Sequence, residues 1–417
     1  MVTGHFTTPP PAGVIYAPMD IAVAVSEGLE RRGHEVTFFA PEGSKIKVSK
    51  VKTCGLKALR QNGELSILAG LNVGGAERAK IYNLWDQFLL SSLYKEALEG
   101  KFDIIHIHPA DRALPLAYAV RNIPTVYTLH DPIYPWRAEV FRMFSSPNQY
   151  YVSISDAQRK PAPDLNYLAT IYNGTAIEDA PFTQKPKGNY LLFVGRLHPE
   201  KGVAEAVEVA RKTGDELLIL GPPVTGEYWD KKIKPYLGDK IRHIGVVSRR
   251  ELYEYYGNAK ATLVPIQWEE PFGLVMIESM ATGTPVIAFR RGSVPEVVVD
   301  GKTGFIVDTI EEMAEATKRI DHIDRRLCRK HIEANFGLEK MIDDYEKSFL
   351  GVTALPPRAS KDRMQSLRSV GIKELYQCGE CGFHYESREW AEKCQAWCRE
   401  HKSCDIEITA HAEENKK

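Results

Sequence analysis

The chain has 417 residues, 43% hydrophobic and 26% charged, with a formal net charge of −1. That length exceeds one compact core, so two or three globular domains are expected. The near-zero charge excludes a global field that would recruit nucleic acid or anionic lipid, and residues 1–187 are too evenly balanced for a polybasic membrane anchor.

Near the start, "TPPPAGVIYAP" carries one glycine, Gly13, after Ala12. No apolar run approaches the roughly 18 residues that span a bilayer, and the first residues lack a charged-then-apolar secretory pattern, so a cytoplasmic location is expected. From about residue 30 to 350, short apolar strands alternate with helical patterns. "HEVTFFAP", "FDIIHIHP" and "IPTVYTLHDP" make one series; "NYLLFVGRL", "DELLILGP", "KATLVPI" and "TPVIAF" make another. This alternation predicts an α/β chain with parallel sheets covered on both faces. Two series predict two doubly wound, Rossmann-like domains, residues 1–187 and 188–335, divided at Pro186 and Gly188 in "FTQKPKGNY". Between the first strands, "GLNVGGAERAKIYNLWDQFLLSSLYKEAL" presents Leu84, Trp85, Phe88 and Leu89. Basic residues do not dominate the opposite face, so core packing is expected in preference to a dip into a membrane interface.

Ligands of open parallel sheets bind beyond the carboxyl ends of strands. His130 stands there, closing "PTVYTLH"; a histidine at such a place is either structural or a ligand contact. Arg196 and Lys201 follow "YLLFV" in "GRLHPEKG", beside Gly195 and Gly202. Two cations five positions apart can bracket a diphosphate, one as a planar fork and one as a point charge, though each alone would be an ordinary surface charge.

"EEPFGLVMIESMATGTPVIAF" carries Glu270 and Glu278. Pro271 suits a first helical turn and Gly283 a helix end, so residues 271–282 predict a helix and "TPVIAF" the strand after it. On such a helix the two carboxylates lie about 12 Å apart, offset by about 80°. A glycosidase pair sits within about 5 to 9.5 Å across one bond, so these acids do not share one. They are either clasps on two parts of a long ligand or solvated helix residues. The Phe272, Gly273 and Leu274 N–H groups between them, at the open helix start, suit an anion. Hydroxyls at both ends and phosphates in the middle describe a nucleotide-sugar.

After an amphipathic stretch at 336–350, residues 351–373 form a proline-containing basic linker, and a Cys-rich module follows at 374–411. Cys378, Cys381, Cys394, Cys398 and Cys404 crowd there, a clustering that favours metal over disulfides in a cytoplasmic chain. Cys-x2-Cys, twelve residues, then Cys-x3-Cys predicts a zinc-ribbon-like structural zinc site. Cys378, Cys381, Cys394 and Cys398 are the first choice of ligands, with His401 or Cys404 as replacements for one of the second pair. The second pair, Cys394 and Cys398, stands at helical i, i+4 spacing, and a small cysteine-rich helical cap without metal is the other reading. Acidic residues outnumber basic ones in this tail, the wrong sign for phosphate, so a structural or protein-docking module is expected and no nucleic-acid partner.

Together, "RRGHEVTFFAPEGS", "YTLHDP", "SISDAQR", "IYNGT", "VGRLHPEKG" and "EEPFGLVMIESMATGTPVIAFRRGSVPEVVVDGKTGFIV" resemble the retaining glycosyltransferases of family 4, of GT-B fold, over roughly residues 1 to 350. The resemblance implies two domains facing across a cleft, with the 336–350 helix packing back towards the first. It implies that Arg196 and Lys201 hold the donor diphosphate and that Glu278 binds the ribose hydroxyls. Glu270 with the Phe272, Gly273 and Leu274 amides would hold the transferred sugar, His130 would reach a sugar hydroxyl, and "HIGVVS" with Gly245 and Val246 would border the base. It further implies a hexose-type donor, with uridine the preferred base, retention of configuration and no catalytic cofactor or metal. The acceptor is left open among saccharide, lipid-linked and small-molecule classes, with at most peripheral membrane contact. The family usually has a glycine pair where only Gly13 stands, and "MVTG" is short for a first strand, so the natural start is expected slightly upstream. A nucleotide-sugar epimerase of related fold, or a non-catalytic sugar-nucleotide-binding scaffold that docks a partner through the tail, are the competing readings.

Overall fold

The computed structural model describes residues 3–10, 16–59, 75–120, 123–222, 224–354, 376–378, 380–381, 384–385, 387–401 and 408. Gly13, Cys404, the first two residues and most of the 351–373 linker therefore lie outside the described residues. The chain forms two compact units, Met1–Leu355 and Pro356–Lys417.

In the first lobe of the larger unit, β1 (Thr37–Phe39) and β2 (Lys50–Lys52) make a parallel pair. The strands β3 (Ile105–Ile107), β4 (Thr125–Thr128), β5 (Gln149–Ser153) and β6 (Tyr167–Thr170) make a parallel sheet in that order. Both β4 and β5 are buried at every position, as strands covered on two faces must be. Successive side chains still divide between the faces. Tyr127 and Tyr151 pack with helices α2 (Gly75–Leu98), α3 (Ala110–Ala119) and α4 (Pro135–Met143), whereas Val126 and Val152 face α1 (Ala17–Arg31). A four-residue helix, α5 (Asp156–Arg159), follows β5. On α2, Leu89 is fully buried and the Trp85 indole N–H donates to the Lys57 carbonyl at 3.0 Å. Leu84 and Phe88 are 62% and 48% exposed, so the expected core packing holds for only part of that apolar set. Among the described residues, no helix is long and apolar enough to cross a membrane.

The second lobe has β7 (Tyr190–Val194), β8 (Glu216–Leu220), β9 (Ile241–Gly245), β10 (Ala261–Val264), β11 (Val286–Phe289) and β12 (Gly304–Val307), all parallel, in the order β12-β11-β10-β7-β8-β9. The chain winds outwards from β7 one way and from β10 the other, so their junction is the topological switch point. Helices α6 (Val203–Thr213), α7 (Glu227–Lys232), α8 (Arg249–Asn258), α9 (Leu274–Ala281), α10 (Val294–Val297), α11 (Ile310–Arg319) and α12 (Arg325–Asn335) connect and cover these strands. Ser248 caps α8 in a reciprocal box with Glu251, satisfying two otherwise open donors. Ser248→Ala is expected to cost about 1 kcal/mol of stability in urea unfolding.

Helix α13 (Leu338–Thr353) leaves the second lobe but packs on the first, burying Met341, Tyr345, Phe349 and Val352 against Ile21 and Val25. It runs three residues past the expected end at 350. Its approach to α1 is so close that a Cβ on Gly28 would lie 2.5 Å from Ile342 Cδ1. Each buried apolar side chain contributes about 1.5–3 kcal/mol. Exposed pairs such as Arg31–Glu339 at 2.8 Å contribute about 0–1 kcal/mol, so burial holds the helix. The crossover between lobes is pinned by α12: Arg325 donates to the carbonyls of Thr183, Gly257 and Ala259, and Arg329 to those of Ala180 and Ala281. The lobes also meet where the Glu296 carboxylate accepts the Asp156 and Ala157 N–H groups at 2.8 and 2.7 Å and the Tyr172 hydroxyl at 3.0 Å.

The smaller unit is a hairpin followed by a helix. Strands β13 (Tyr376–Gln377) and β14 (His384–Tyr385) pair antiparallel, and α14 (Arg388–His401) follows. Cys394 and Cys398 lie one helical turn apart on α14, so the second pair comes from a helix, as their spacing predicts.

Candidate active site

Two loops interlock at the switch point. Gly202, at φ 74°, sits so close to the loop after β10 that a Cβ would stand 1.8 Å from the Pro265 carbonyl oxygen. The Gln267 N–H donates to the Glu200 carbonyl at 2.8 Å. This contact delivers Lys201 Nζ to Glu270 Oε2 at 2.5 Å, with the same oxygen accepting the Trp268 indole N–H at 2.9 Å. The ammonium also lies 4.6 Å from the centre of the Trp268 ring, so one aromatic orients both charges. Glu270 is 8% exposed.

The segment that carries Glu270 is held from behind. Gly292, at φ 52°, approaches it so closely that a Cβ would meet the Glu270 carbonyl oxygen at 2.2 Å. Ser293 donates its N–H to the Glu270 carbonyl and its hydroxyl to that of Phe272, at 2.9 and 2.8 Å. Phe272 is buried, with its ring 6.2 Å from that of Tyr172. Gly273, at φ 83°, caps α9, which starts at Leu274 and not at residue 271. The expected continuous helix from Pro271 therefore starts three residues late, and a separation calculated along it does not apply to Glu270, which lies before the helix. The open helix-start donors begin beside Gly273 and Leu274, whereas Phe272 belongs to the core.

Glu278, one turn into α9, is half-buried and accepts the Tyr256 hydroxyl at 3.2 Å. Burial pushes its pKa up to about 7, against the lowering effects of the Arg249 guanidinium and the Tyr256 hydrogen bond; Asp20 adds to the rise. Asp20 lies on α1, so this carboxylate feels charge from the other lobe. The two glutamates thus have different neighbours.

Arg196 projects from the same loop as Lys201, exposed and with no side-chain partner among the described residues. Gly195 before it, at φ 153°, lies close to β8: a Cβ on Gly221 would stand 2.1 Å from its carbonyl oxygen. Gly245, at φ 91°, ends β9, and Val246 after it is 50% exposed.

His130 stands on the other lobe, at the carboxyl end of β4, and makes no contact with the Lys201–Glu270 pair. Its backbone is fixed by Gln158, whose amide donates to the carbonyls of Leu129 and Asp131, both at 3.0 Å. Its Nε2 lies 2.8 Å from His108 Nδ1. Burial, with the Arg137 cation nearby, lowers its pKa to about 3, so the ring is neutral near pH 7.

Sequence patterns match this geometry. A family model described as "Glycosyltransferase Family 4" matches residues 21–176, and one described as "Glycosyl transferases group 1" matches residues 176–335. The chain belongs to the group 1 and family 4 glycosyltransferases. An uncharacterized 41.2 kDa protein in the cps region of Klebsiella pneumoniae is 28% identical, covering 61% of this chain and 82% of that one. A phosphatidyl-myo-inositol mannosyltransferase of Mycolicibacterium smegmatis is 27% identical over 70% of this chain and 78% of its own. Among solved structures, sucrose-phosphate synthase of Thermosynechococcus elongatus superposes with a TM-score of 0.62 at 20% identity, covering 81% of this glycosyltransferase and 93% of that chain. Anabaena Alr3699/HepE in complex with UDP-glucose gives 0.61 at 15% identity, with 82% and 97% covered. The fold is GT-B.

Sequence reasoning missed Trp268, Tyr256, Arg249 and His108. Trp268 carried a signal, an aromatic two residues before Glu270 in "QWEEPFG"; nothing in the sequence ties Arg249 or Tyr256 to Glu278.

In the smaller unit, Cys378, Cys381, Cys394 and Cys398 place their sulfurs within 4.8 Å of one another. Cys381 and Cys394 sulfurs are 3.4 Å apart, and those of Cys394 and Cys398 3.9 Å. A tetrahedral ion at about 2.3 Å from each sulfur separates them by about 3.8 Å, so this donor set fits zinc. His401 is exposed, with its ring stacked 3.8 Å from that of Trp397, outside the sulfur cluster.

Proposed function

We propose that this glycosyltransferase moves a hexose-type sugar from a UDP-sugar to an acceptor hydroxyl with retention of configuration and without a catalytic metal. The supporting observation is the Lys201–Glu270–Trp268 group at the switch point, with the unpaired Arg196 cation on the same loop. Arg196 takes two diphosphate oxygens as a fork, and Lys201 takes one as a point charge, sharing its protons with Glu270. Their positive charge meets the charge that grows on the departing diphosphate, and the open donors at the start of α9 add to it. Glu270 accepts sugar hydroxyls, Glu278 accepts ribose hydroxyls, and His130 binds a sugar hydroxyl from the facing lobe. Gly195 lets backbone approach the phosphates, and Gly245 and Val246 border the base. The complex of Alr3699/HepE with UDP-glucose supports the choice of uridine.

The test is a melting-temperature panel with UDP-, GDP- and ADP-sugars without added metal, followed by hydrolysis of any donor that binds. A ligand that binds only the folded state raises the melting temperature by mass action. A rise with UDP-sugars, lost in Glu278→Ala, is expected; a rise with none of the three would overturn the donor assignment.

We also infer that the four tail cysteines hold a structural zinc and that the tail docks a protein partner. So small a unit needs metal to fold, because it buries little apolar surface of its own. Purified protein is expected to contain one zinc per chain by elemental analysis, and Cys394→Ser to contain none. Thiolate ligation suits a reducing compartment, consistent with a cytoplasmic enzyme.

A further inference from the structure

On the adjacent parallel strands β3 and β4, Ile107 lies opposite Tyr127; His108 follows the first directly, His130 lies three residues beyond the second, and the two rings meet diagonally past the strand ends. The rings of His108 and His130 are nearly parallel, 15° apart, with centroids at 5.1 Å. The Nδ1–Nε2 distance of 2.8 Å is a hydrogen bond, so one of these nitrogens carries a hydrogen and the other does not. His108 is 8% exposed. Behind it, the His106 ring stands 4.4 Å away, its Nε2 2.8 Å from the Thr128 hydroxyl oxygen, which is 2.9 Å from that of Tyr345 on α13.

We propose that His108 is a positioning residue that fixes which nitrogen of His130 is protonated, and thereby whether His130 donates to or accepts from the sugar hydroxyl. A neutral imidazole has a single N–H. If His108 Nδ1–H donates, His130 Nε2 accepts and its hydrogen must be on Nδ1, which then donates to a ligand. If His130 Nε2–H donates, its Nδ1 is an acceptor. Burial lowers the pKa of both rings, so at neutral pH neither escapes the choice by taking a second proton. Removing His108 leaves Nε2 of His130 without its partner and frees the ring to populate both forms. This inference rests on the reading of His130 as a sugar contact.

The experiment uses the full chain labelled with 15N-histidine. Long-range proton–nitrogen correlation reads which ring nitrogen carries hydrogen, with His130 assigned by His130→Gln. His108→Leu removes the bond; His108→Asn keeps a polar atom near the Nδ1 position. A single form of His130 is expected in the wild type, and a mixture in His108→Leu and in His108→Asn, whose amide can either donate to or accept from Nε2. In parallel, kcat/KM for UDP-sugar hydrolysis is expected to fall about tenfold in the leucine variant and to recover only in part in the asparagine one. If the leucine variant loses its cooperative melt, His108→Gln, whose amide sits at the Nε2 position, replaces it. An unchanged His130 form in these variants, or equal rate losses in both with that form intact, would overturn the proposal. A wild type that turns over no donor would sink the functional reading while the nitrogen spectra still decide this one.

Discussion

Lys201→Ala is expected to lower kcat/KM for the donor by about 100- to 1000-fold, chiefly through kcat. Lys201 is pre-placed: the Gly202–Pro265 contact sets its backbone, and Glu270 with the Trp268 ring sets its side chain. A preorganised cation costs no reorganisation when charge grows on the leaving diphosphate, which is why its loss falls on turnover more than on binding. Among the described residues, its removal also leaves Glu270, 8% exposed, with the indole N–H as its one remaining side-chain donor. Because lysine and glutamate act as a bonded pair, Lys201→Ala and Glu270→Ala are expected to combine far short of the product of their separate effects. Lys201→Arg keeps the charge, but a planar fork does not match a point-charge site, so only partial recovery is expected. Steady-state kinetics of donor hydrolysis checks all four; a change of less than threefold in Lys201→Ala would remove this residue from the site.

The fold was legible where local chemistry and the global pattern agree. Strands such as "YLLFV" and "KATLVPI" are short apolar runs bounded by turn residues, and they pair as a parallel sheet because both faces are covered. The start of α9 was not legible in the same way. Pro271 favours a first helical turn, but Phe272 is drawn into the core beside Tyr172, and Gly273 must then adopt φ 83° to turn the chain into the helix. Packing of one aromatic overrode a local preference. Charge pairing across loops was also out of reach. Nothing in "GRLHPEKG" says that its lysine will meet a glutamate 69 positions later, because that depends on a glycine seated against a proline carbonyl. The hairpin-helix tail was half legible: the i, i+4 spacing of Cys394 and Cys398 pointed to a helix, whereas the Cys-x2-Cys pair alone suits several zinc modules.

Glu278 supplies the second large effect, one with a definite pH sign. An ionised carboxylate is an acceptor only, suited to two ribose hydroxyls; once protonated it gives up part of that capacity. Its pKa is raised to about 7 because burial disfavours the charge more than Arg249 and Tyr256 favour it. A raised carboxyl pKa means that the binding form is lost as pH falls through 7, so UDP-sugar affinity is expected to weaken by up to about tenfold per pH unit below that point and to level off above about pH 8. The diphosphate bridge of a nucleotide-sugar has no proton to exchange in this range, and both Asp20 and Arg249, the charged groups facing Glu278, act on its carboxyl without changing the sign. Donor binding stabilises the ionised form and should therefore release a proton near pH 7, visible by calorimetry in buffers of different ionisation enthalpy. Glu278→Gln is expected to bind about 10- to 100-fold more weakly at pH 8, the cost of a charge-assisted hydrogen bond, with a flat pH profile. Wild-type affinity that stays constant from pH 5.5 to 8.5 would show that Glu278 does not hold the donor.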